Sequence, residues 1–209
     1  MTHALTLMQW LSPAFPVGAF AYSNGLEQVI SDGQVGDTTT LQDWLTSVVT
    51  HGSGWADAVL LVAAYRAEDV ADVDATARAF AASAERLKET DLQGAAFCDT
   101  AQAVWGLGLH GLTYPVAVGA AARAVDIPLP ETVPLYLHAF ASNLVSAAQR
   151  AIPLGQTDGQ TVLASLAPTL AETARRAETT RLAALTSTSF AADIAAMRHE
   201  TLQPRIFRT

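Results

Sequence analysis

LQDWLTSVV, residues 41–49, carries the clearest structural pattern in the chain. Its apolar residues recur at intervals of three and four, the spacing of one face of an α-helix; they are Leu41, Trp44, Leu45, Val48 and Val49. Polar residues occupy the positions between them. The stretch therefore predicts an amphipathic helix that buries one face against the rest of the protein.

The same helical spacing returns along most of the chain, interrupted by turns rich in Gly, Pro and Asp, and no segment alternates as a half-buried strand does. We predict helices over residues 4–11, 23–31, 55–66, 70–83 and 85–105, a short helix from Pro115 and a long helix over 131–152. A helix pair follows a capping box at Thr157 and Gln160. The pair divides at Pro168 and runs to Leu185. The predicted fold is all-α, a single-domain helical bundle of about ten helices over residues 1–209, with an irregular N-terminal loop and an extended C-terminal tail.

The composition agrees with a helical protein and argues against several kinds of partner. Half of the 209 residues are hydrophobic and 15% are charged. The formal net charge of −8 argues against nucleic acid and an anionic membrane as partners. No apolar run is long enough to span a membrane, and no basic segment precedes the short N-terminal apolar stretch, so we expect a cytoplasmic protein.

The segment SPAFPVGAFAYSNGLEQ, residues 12–28, combines a constrained backbone with a lack of reactive side chains. Its prolines fix the backbone, and Phe15, Phe20 and Tyr22 supply apolar area, while its only charged residue is Glu27. Apolar, shaped surface without reactive groups is typical of protein–protein recognition. The segment is either such a recognition surface or a buried connector between two helices, and the two roles are compatible.

The sequence lacks the residue patterns that catalysis and metal binding require. None of the five histidines has another His or a Cys within five residues, so no metal-ligand spacing exists. GQTDGQT, residues 155–161, has no lysine after its second glycine and is not a phosphate-binding loop. We therefore expect no catalytic residue, no metal ligand and no cofactor.

A polar stripe on the long helix over 131–152 is the exception. His138, Ser142 and Ser146 follow one another at intervals of four, and Asn143 and Arg150 lie close by. The stripe is either a satisfied polar network inside a helix bundle or a surface that faces a partner or a water-filled passage.

Four blocks of the sequence resemble signature segments of one family, the urease accessory protein UreF family. They keep the family's order and span nearly the whole chain: SPAFPVGAFAYSNGLE (12–27), YPVAVG (114–119), NLVSAAQRAIPLGQTDGQ (143–160) and DIAAMRHETLQPRIFRT (193–209). The resemblance implies an all-helical, non-catalytic assembly factor that tends to form a homodimer. Such proteins bridge the accessory protein UreD, also called UreH, and the GTPase UreG on apo-urease, support nickel insertion there and are thought to regulate the GTPase.

Under this resemblance, fourteen residues are candidates for contacts with those partners: Phe15, Phe20, Tyr22, Asn24, His138, Asn143, Arg150, Gln156, Asp158, Arg198, His199, Arg205, Phe207 and Arg208. We expect the basic tail, residues 193–209, to be mobile alone and to dock on the UreD-like protein, with Phe207 as an apolar anchor. Arg205 and Arg208 would then pair with acids of that partner. The alternative is that the tail covers the protein's own core or its dimer interface. The small residues Gly119 and Ala120 favour helix packing across a two-fold axis.

Two other functional classes remain open at this point. A nickel-carrying metallochaperone would need ligand clusters that the sequence does not offer. An enzyme such as a hydrolase would show activity in the isolated protein.

Overall fold

The computed structural model describes residues 2–209, so Met1, which the predicted domain included, lies outside the described residues. Within residues 2–209 the regular structure is helical and no strand is present, which confirms the prediction of an all-α single domain. The helices in this range are α1 (Thr2–Trp10), α2 (Leu26–Ser31), α3 (Thr38–His51), α4 (Ser53–Arg66), α5 (Ala71–Ala79), α6 (Ala84–Trp105), α7 (Tyr114–Ala124), α8 (Leu129–Ala151), α9 (Gln156–Thr179) and α10 (Phe190–His199). Two 3-10 turns cover Ala19–Ala21 and Leu182–Ala184.

Helix α4 lies at the centre of the bundle because its sequence offers no polar face. Ten of its 14 residues are buried. It packs against α3, α5, α7, α8 and α9. Only a helix that other helices surround can bury apolar side chains in every direction.

Helix α7 approaches α4 so closely that their backbones touch. A Cβ atom built on Gly119 would lie 2.3 Å from the carbonyl oxygen of Leu61. Gly119 is buried in this contact. The expectation that Gly119 packs across a dimer axis is therefore wrong, because the close approach that its missing side chain allows is used inside one chain.

Helix α3 confirms the prediction from residues 41–49. Its buried side chains are Leu41, Leu45, Val48 and Val49. The helix begins at Thr38 because Asp37 caps it: the Thr40 N–H donates to Asp37 Oδ1 at 2.8 Å.

Helix α2 starts at Leu26, three residues later than predicted. Asn24 and Gly25 have φ values of 54° and 77°, in the left-handed region that a right-handed helix excludes. A Cβ on Gly25 would also lie 2.8 Å from the backbone nitrogen of Ala196 in α10. The backbone therefore turns before the helix begins, and at Gly25 only glycine fits.

Helix α9 is continuous, so the predicted division at Pro168 is wrong. Pro168 and Ala164 are both exposed. Because proline has no N–H, the Ala164 carbonyl, four residues earlier, lacks its helical hydrogen bond. Water at the surface can replace that donor, which lets the helix continue. The helix also starts earlier than predicted, because its cap is Gly155 and not Thr157. The Gly155 N–H donates to Asp158 Oδ2 at 3.2 Å.

Candidate functional site

A groove of ≈ 510 Å³ lies between α1, the loop of residues 12–25 and α8, and we call it the α8 groove. It is lined by five of the predicted contact residues: Phe15, Phe20, Asn24, His138 and Asn143. Exposed apolar side chains also line it, with exposed fractions of 66% for Met8, 68% for Phe20 and 39% for Leu135. Exposed apolar side chains around a concave surface are typical of a protein–protein contact.

The loop of residues 12–25 contains both buried and exposed aromatic side chains. Phe15 is buried, and its ring centroid lies 5.4 Å from that of Phe97 in the core. Tyr22 is buried too, and burial raises the pKa of its hydroxyl. The 3-10 turn Ala19–Ala21 between them points Phe20 towards solvent. The loop is thus a connector through Phe15 and Tyr22 and a surface through Phe20.

Two polar residues of α8 hold this loop in place. Asn143 Nδ2 donates to the Tyr22 carbonyl at 3.3 Å, and Arg150 donates to the Phe20 carbonyl at 2.7 Å. His138 and Ser146 line the groove and are exposed. The polar stripe of α8 is therefore mixed: Asn143 and Arg150 belong to an internal network, whereas His138 faces the groove.

A buried ion cluster forms part of the groove wall, and we call it the central ion cluster (Asp57, Arg86, Glu89 and Tyr136). Arg86 donates to both carboxylate oxygens of Asp57, at 2.8 and 2.7 Å, and lies 3.1 Å from Glu89 Oε1. The Tyr136 hydroxyl donates to Asp57 at 2.9 Å. Burial raises the pKa of Glu89 even though Arg86 opposes that effect. Burial, assisted by the charge of Asp57, also raises the pKa of Tyr136. The guanidinium of Arg86 therefore pairs with two buried carboxylates, those of Asp57 and Glu89.

A second cavity, of ≈ 420 Å³, lies between the start of α4, helix α10 and the segment that follows α5. Met197 and Asp193 of α10 line it, and burial raises the pKa of Asp193. The lining residues that it shares with the α8 groove are Asp57 and Arg86. The Asp57–Arg86 ion pair is therefore a wall common to both cavities.

A second buried ionic group, the C-terminal clasp (Glu27, Glu85, His199 and Arg205), joins α2, α6, α10 and the tail. His199 is fully buried, with Nδ1 2.8 Å from Glu85 Oε2 and Nε2 2.9 Å from Glu27 Oε2. Arg205 pairs with Glu85. Glu27 accepts the N–H groups of Ile206 and Phe207 at 2.6 and 2.9 Å.

The C-terminal tail packs on its own chain, so the prediction that it stands free is wrong in this structure. Phe207 is 3% exposed and is not available as an anchor for another protein. Arg208 N–H donates to the Ala21 carbonyl at 2.8 Å, and Ser23 N–H donates to the Thr209 carbonyl at 2.9 Å. Acids of the same chain explain the difference: Glu85 pairs with Arg205, and Glu27 accepts the N–H groups of Ile206 and Phe207.

The remaining candidates lie apart from the groove. Arg198 pairs with Asp32 at 2.9 Å. Gln156 and Asp158 are exposed at the start of α9. Sequence reasoning missed the carboxylates and Arg86 of the two ionic groups, whose partners lie far apart in the chain. One signal was available: Asp57 is a lone acid within the apolar stretch WADAVLLVAAY, residues 55–65.

Among the described residues, no group of three or more His, Cys, Asp and Glu side chains is arranged to hold a metal ion. Over residues 2–209, no helix combines the length and the apolarity that crossing a membrane requires.

Comparison with known proteins gives one consistent result. The model of the UreF family matches residues 35–167. The chain is similar to urease accessory proteins UreF from Roseobacter denitrificans (56% identical, covering 98% of this chain and 93% of the relative), Ruegeria pomeroyi (52%, 98% and 96%) and Ruegeria sp. strain TM1040 (58%, 98% and 97%). The match extends over nearly the whole of both chains in each case. The chain therefore belongs to the UreF family of urease accessory proteins.

Proposed function

We propose that this chain is a urease maturation factor, a non-catalytic scaffold that bridges a UreD/UreH-like protein and a UreG-like GTPase on apo-urease during nickel insertion. It acts in the cytoplasm as a homodimer and regulates the GTPase. The observation that carries the proposal is the presence of two separate exposed apolar surfaces, since a bridge needs one surface for each partner.

The first surface is the α8 groove with Met8, Phe20 and Leu135. The second is the α10 stripe (Phe190, Ile194 and Met197), whose side chains are 67%, 54% and 53% exposed. Their spacing of four and three places them on one face of α10, whereas Ala192 and Ala195 are buried on the other. None of the three stripe residues lines the groove.

Each surface is assigned to one partner. Ile194 and Met197 of the α10 stripe lie in residues 193–209, the segment that we expected to dock on the UreD-like protein, and Ile206, which is also exposed, follows them in the chain. We assign the stripe to that protein. The α8 groove, with Phe20 and the exposed His138, is assigned to the UreG-like GTPase. Met8 and Ile194 test the two assignments separately.

The experiment is a pair of pull-downs, one with a UreD-like and one with a UreG-like protein. Ile194→Glu should weaken capture of the UreD-like protein by at least about tenfold, because burying an unpaired charge in an interface is costly. Met8→Glu should do the same for the UreG-like protein. Each variant should retain the other partner, and both should reduce nickel-dependent activation of apo-urease.

Val104→Glu is the matched control, since Val104 is an exposed apolar residue on α6 that lines neither cavity. It should retain both partners. The bridging proposal fails if Ile194→Glu and Met8→Glu both retain full capture, or if both lose the same partner.

Self-association is tested independently of these partners. Light scattering at tens of micromolar should give about twice the 22.0 kDa mass of one chain. A mass of one chain at that concentration would contradict the homodimer.

A further inference from the structure

His199 in the C-terminal clasp is placed where both of its ring nitrogens need a proton. Each nitrogen lies within 3 Å of a carboxylate oxygen, Glu85 Oε2 at 2.8 Å and Glu27 Oε2 at 2.9 Å. An ionised carboxylate accepts hydrogen bonds and donates none, so each ring nitrogen must be the donor. Only the imidazolium form donates from both nitrogens.

The charges of the closed clasp balance. Glu27 and Glu85 contribute two negative charges, and Arg205 and protonated His199 contribute two positive ones. Loss of one ring proton would place a nitrogen lone pair against a carboxylate oxygen and leave a net negative charge in a site where His199 is fully buried. Both effects oppose the closed arrangement.

The other charged groups near the clasp have partners of their own. Arg198 on α10 pairs with Asp32. Glu200, which follows α10, accepts the N–H of Ala84 at 2.8 Å. On α6, Glu89 pairs with Arg86 of the central ion cluster. The carboxylates that face the His199 ring are therefore those of Glu27 and Glu85.

We propose that the C-terminal clasp is a proton-dependent latch on the tail. Around neutral pH, where both carboxylates are ionised, the closed state holds one proton more than the open state, so its population falls as the pH rises. Opening releases Arg205 from Glu85 and the Ile206 and Phe207 N–H groups from Glu27. The tail then leaves α2 and α6 while the helical body stays folded.

The test is nuclear magnetic resonance on the full-length protein. At about pH 6, both ring nitrogens of His199 should carry protons. Between about pH 6 and about pH 8.5, amide protection of Ile206 and Phe207, corrected for the intrinsic pH dependence of exchange, should fall by about tenfold or more. Amides of Leu137 and Leu144 in buried parts of α8 should keep constant protection.

Two variants identify the responsible group. His199→Gln cannot change its charge, so its tail protection should no longer depend on pH. His110→Gln, at an exposed position in the loop after α6, should behave as the wild type. The latch is wrong if wild-type protection of Ile206 and Phe207 stays constant across the range, if His199 lacks a ring proton at about pH 6, or if His199→Gln keeps the wild-type pH dependence. The wild-type measurements decide the question even if His199→Gln does not fold.

Discussion

The guanidinium of Arg150 stacks over the ring of Phe207, with its central carbon 4.4 Å from the ring centroid. The same guanidinium donates to the Phe20 carbonyl at 2.7 Å. A single side chain of α8 therefore ties together the N-terminal loop and the C-terminal tail. We expect Arg150→Gln to lower the free energy of unfolding by about 0.5–1 kcal/mol, the size of a largely exposed cation–π contact.

Two comparisons make the Arg150 measurement specific. Arg150→Lys should restore little of the loss, because an ammonium group cannot both stack on the ring and reach the carbonyl as a planar guanidinium does. Arg175→Gln, which removes an exposed ion pair with Glu172, should leave the urea midpoint unchanged. Equal effects of Arg150→Gln and Arg175→Gln would show that neither the stacking on Phe207 nor the hydrogen bond to the Phe20 carbonyl contributes to stability.

Phe207 and Ile206 are neighbours in the tail, and Phe207 is buried whereas Ile206 is exposed. Substituting each in turn therefore distinguishes a contribution to the protein's own stability from a contribution to partner recognition. Phe207→Ala should destabilise the isolated protein by about 3 kcal/mol, because it removes a buried aromatic side chain. Ile206→Ala should leave the melting temperature nearly unchanged, since its side chain is exposed. Thermal melts of both variants check this, and a Phe207→Ala variant as stable as the wild type would mean that the tail is not docked in solution.

Gly119 tests the backbone contact between α4 and α7. In an open helix, Gly→Ala gains about 1 kcal/mol of helix propensity. Here the added Cβ would meet the Leu61 carbonyl at 2.3 Å, so we expect a net loss of about 1–3 kcal/mol from overpacking. Gly36→Ala is the control, because its Cβ would meet nothing within 4 Å. Urea unfolding of both variants measures the change in the free energy of unfolding. A Gly119→Ala protein more stable than the wild type would contradict the contact.

Glu89 should make stability depend on pH in a predictable direction. Burial raises its pKa in the folded protein, so the folded state binds the Glu89 proton more tightly than the unfolded state does. Its contribution to stability is therefore fully present below the ordinary carboxyl pKa and is lost as the pH rises through the raised value. The melting temperature of the wild type minus that of Glu89→Gln should shrink as the pH rises over this window. A difference that grows with pH would mean that Arg86 outweighs burial.

Nickel titration separates a scaffold from a nickel carrier. A tight site needs several ligating side chains to converge, and within residues 2–209 no group of three or more His, Cys, Asp and Glu does so. We expect isothermal titration of the isolated protein to show weak binding without defined stoichiometry. One sub-micromolar site per chain would favour the metallochaperone instead, and His199→Gln would then test whether the clasp holds the ion.

Helices were predictable wherever burial and local spacing agreed, and α3 is the clearest case. Predictions failed where the deciding contact was distant in sequence or depended on solvent. At Pro168, exposure lets α9 continue through a residue that usually breaks a helix. In the tail, the arginines predicted acidic partners on another protein, but the fold brings Glu85 of the same chain to Arg205 and Glu27 to the N–H groups of Ile206 and Phe207. His199 and Glu27 are 172 positions apart, and no local pattern links them.

Helix α4 also affects how the protein is made. Apolar side chains point from it in all directions, and its buried acid, Asp57, needs Arg86 of α6, so it has no stable place on the surface of an incomplete chain. The helices that cover it include α8 and α9, which end only at Ala151 and Thr179. During synthesis the α4 segment must therefore wait, uncovered and prone to aggregation, until most of the chain has left the ribosome. Fragments that stop before α9 should accumulate in inclusion bodies, and the protein should fold in one late step.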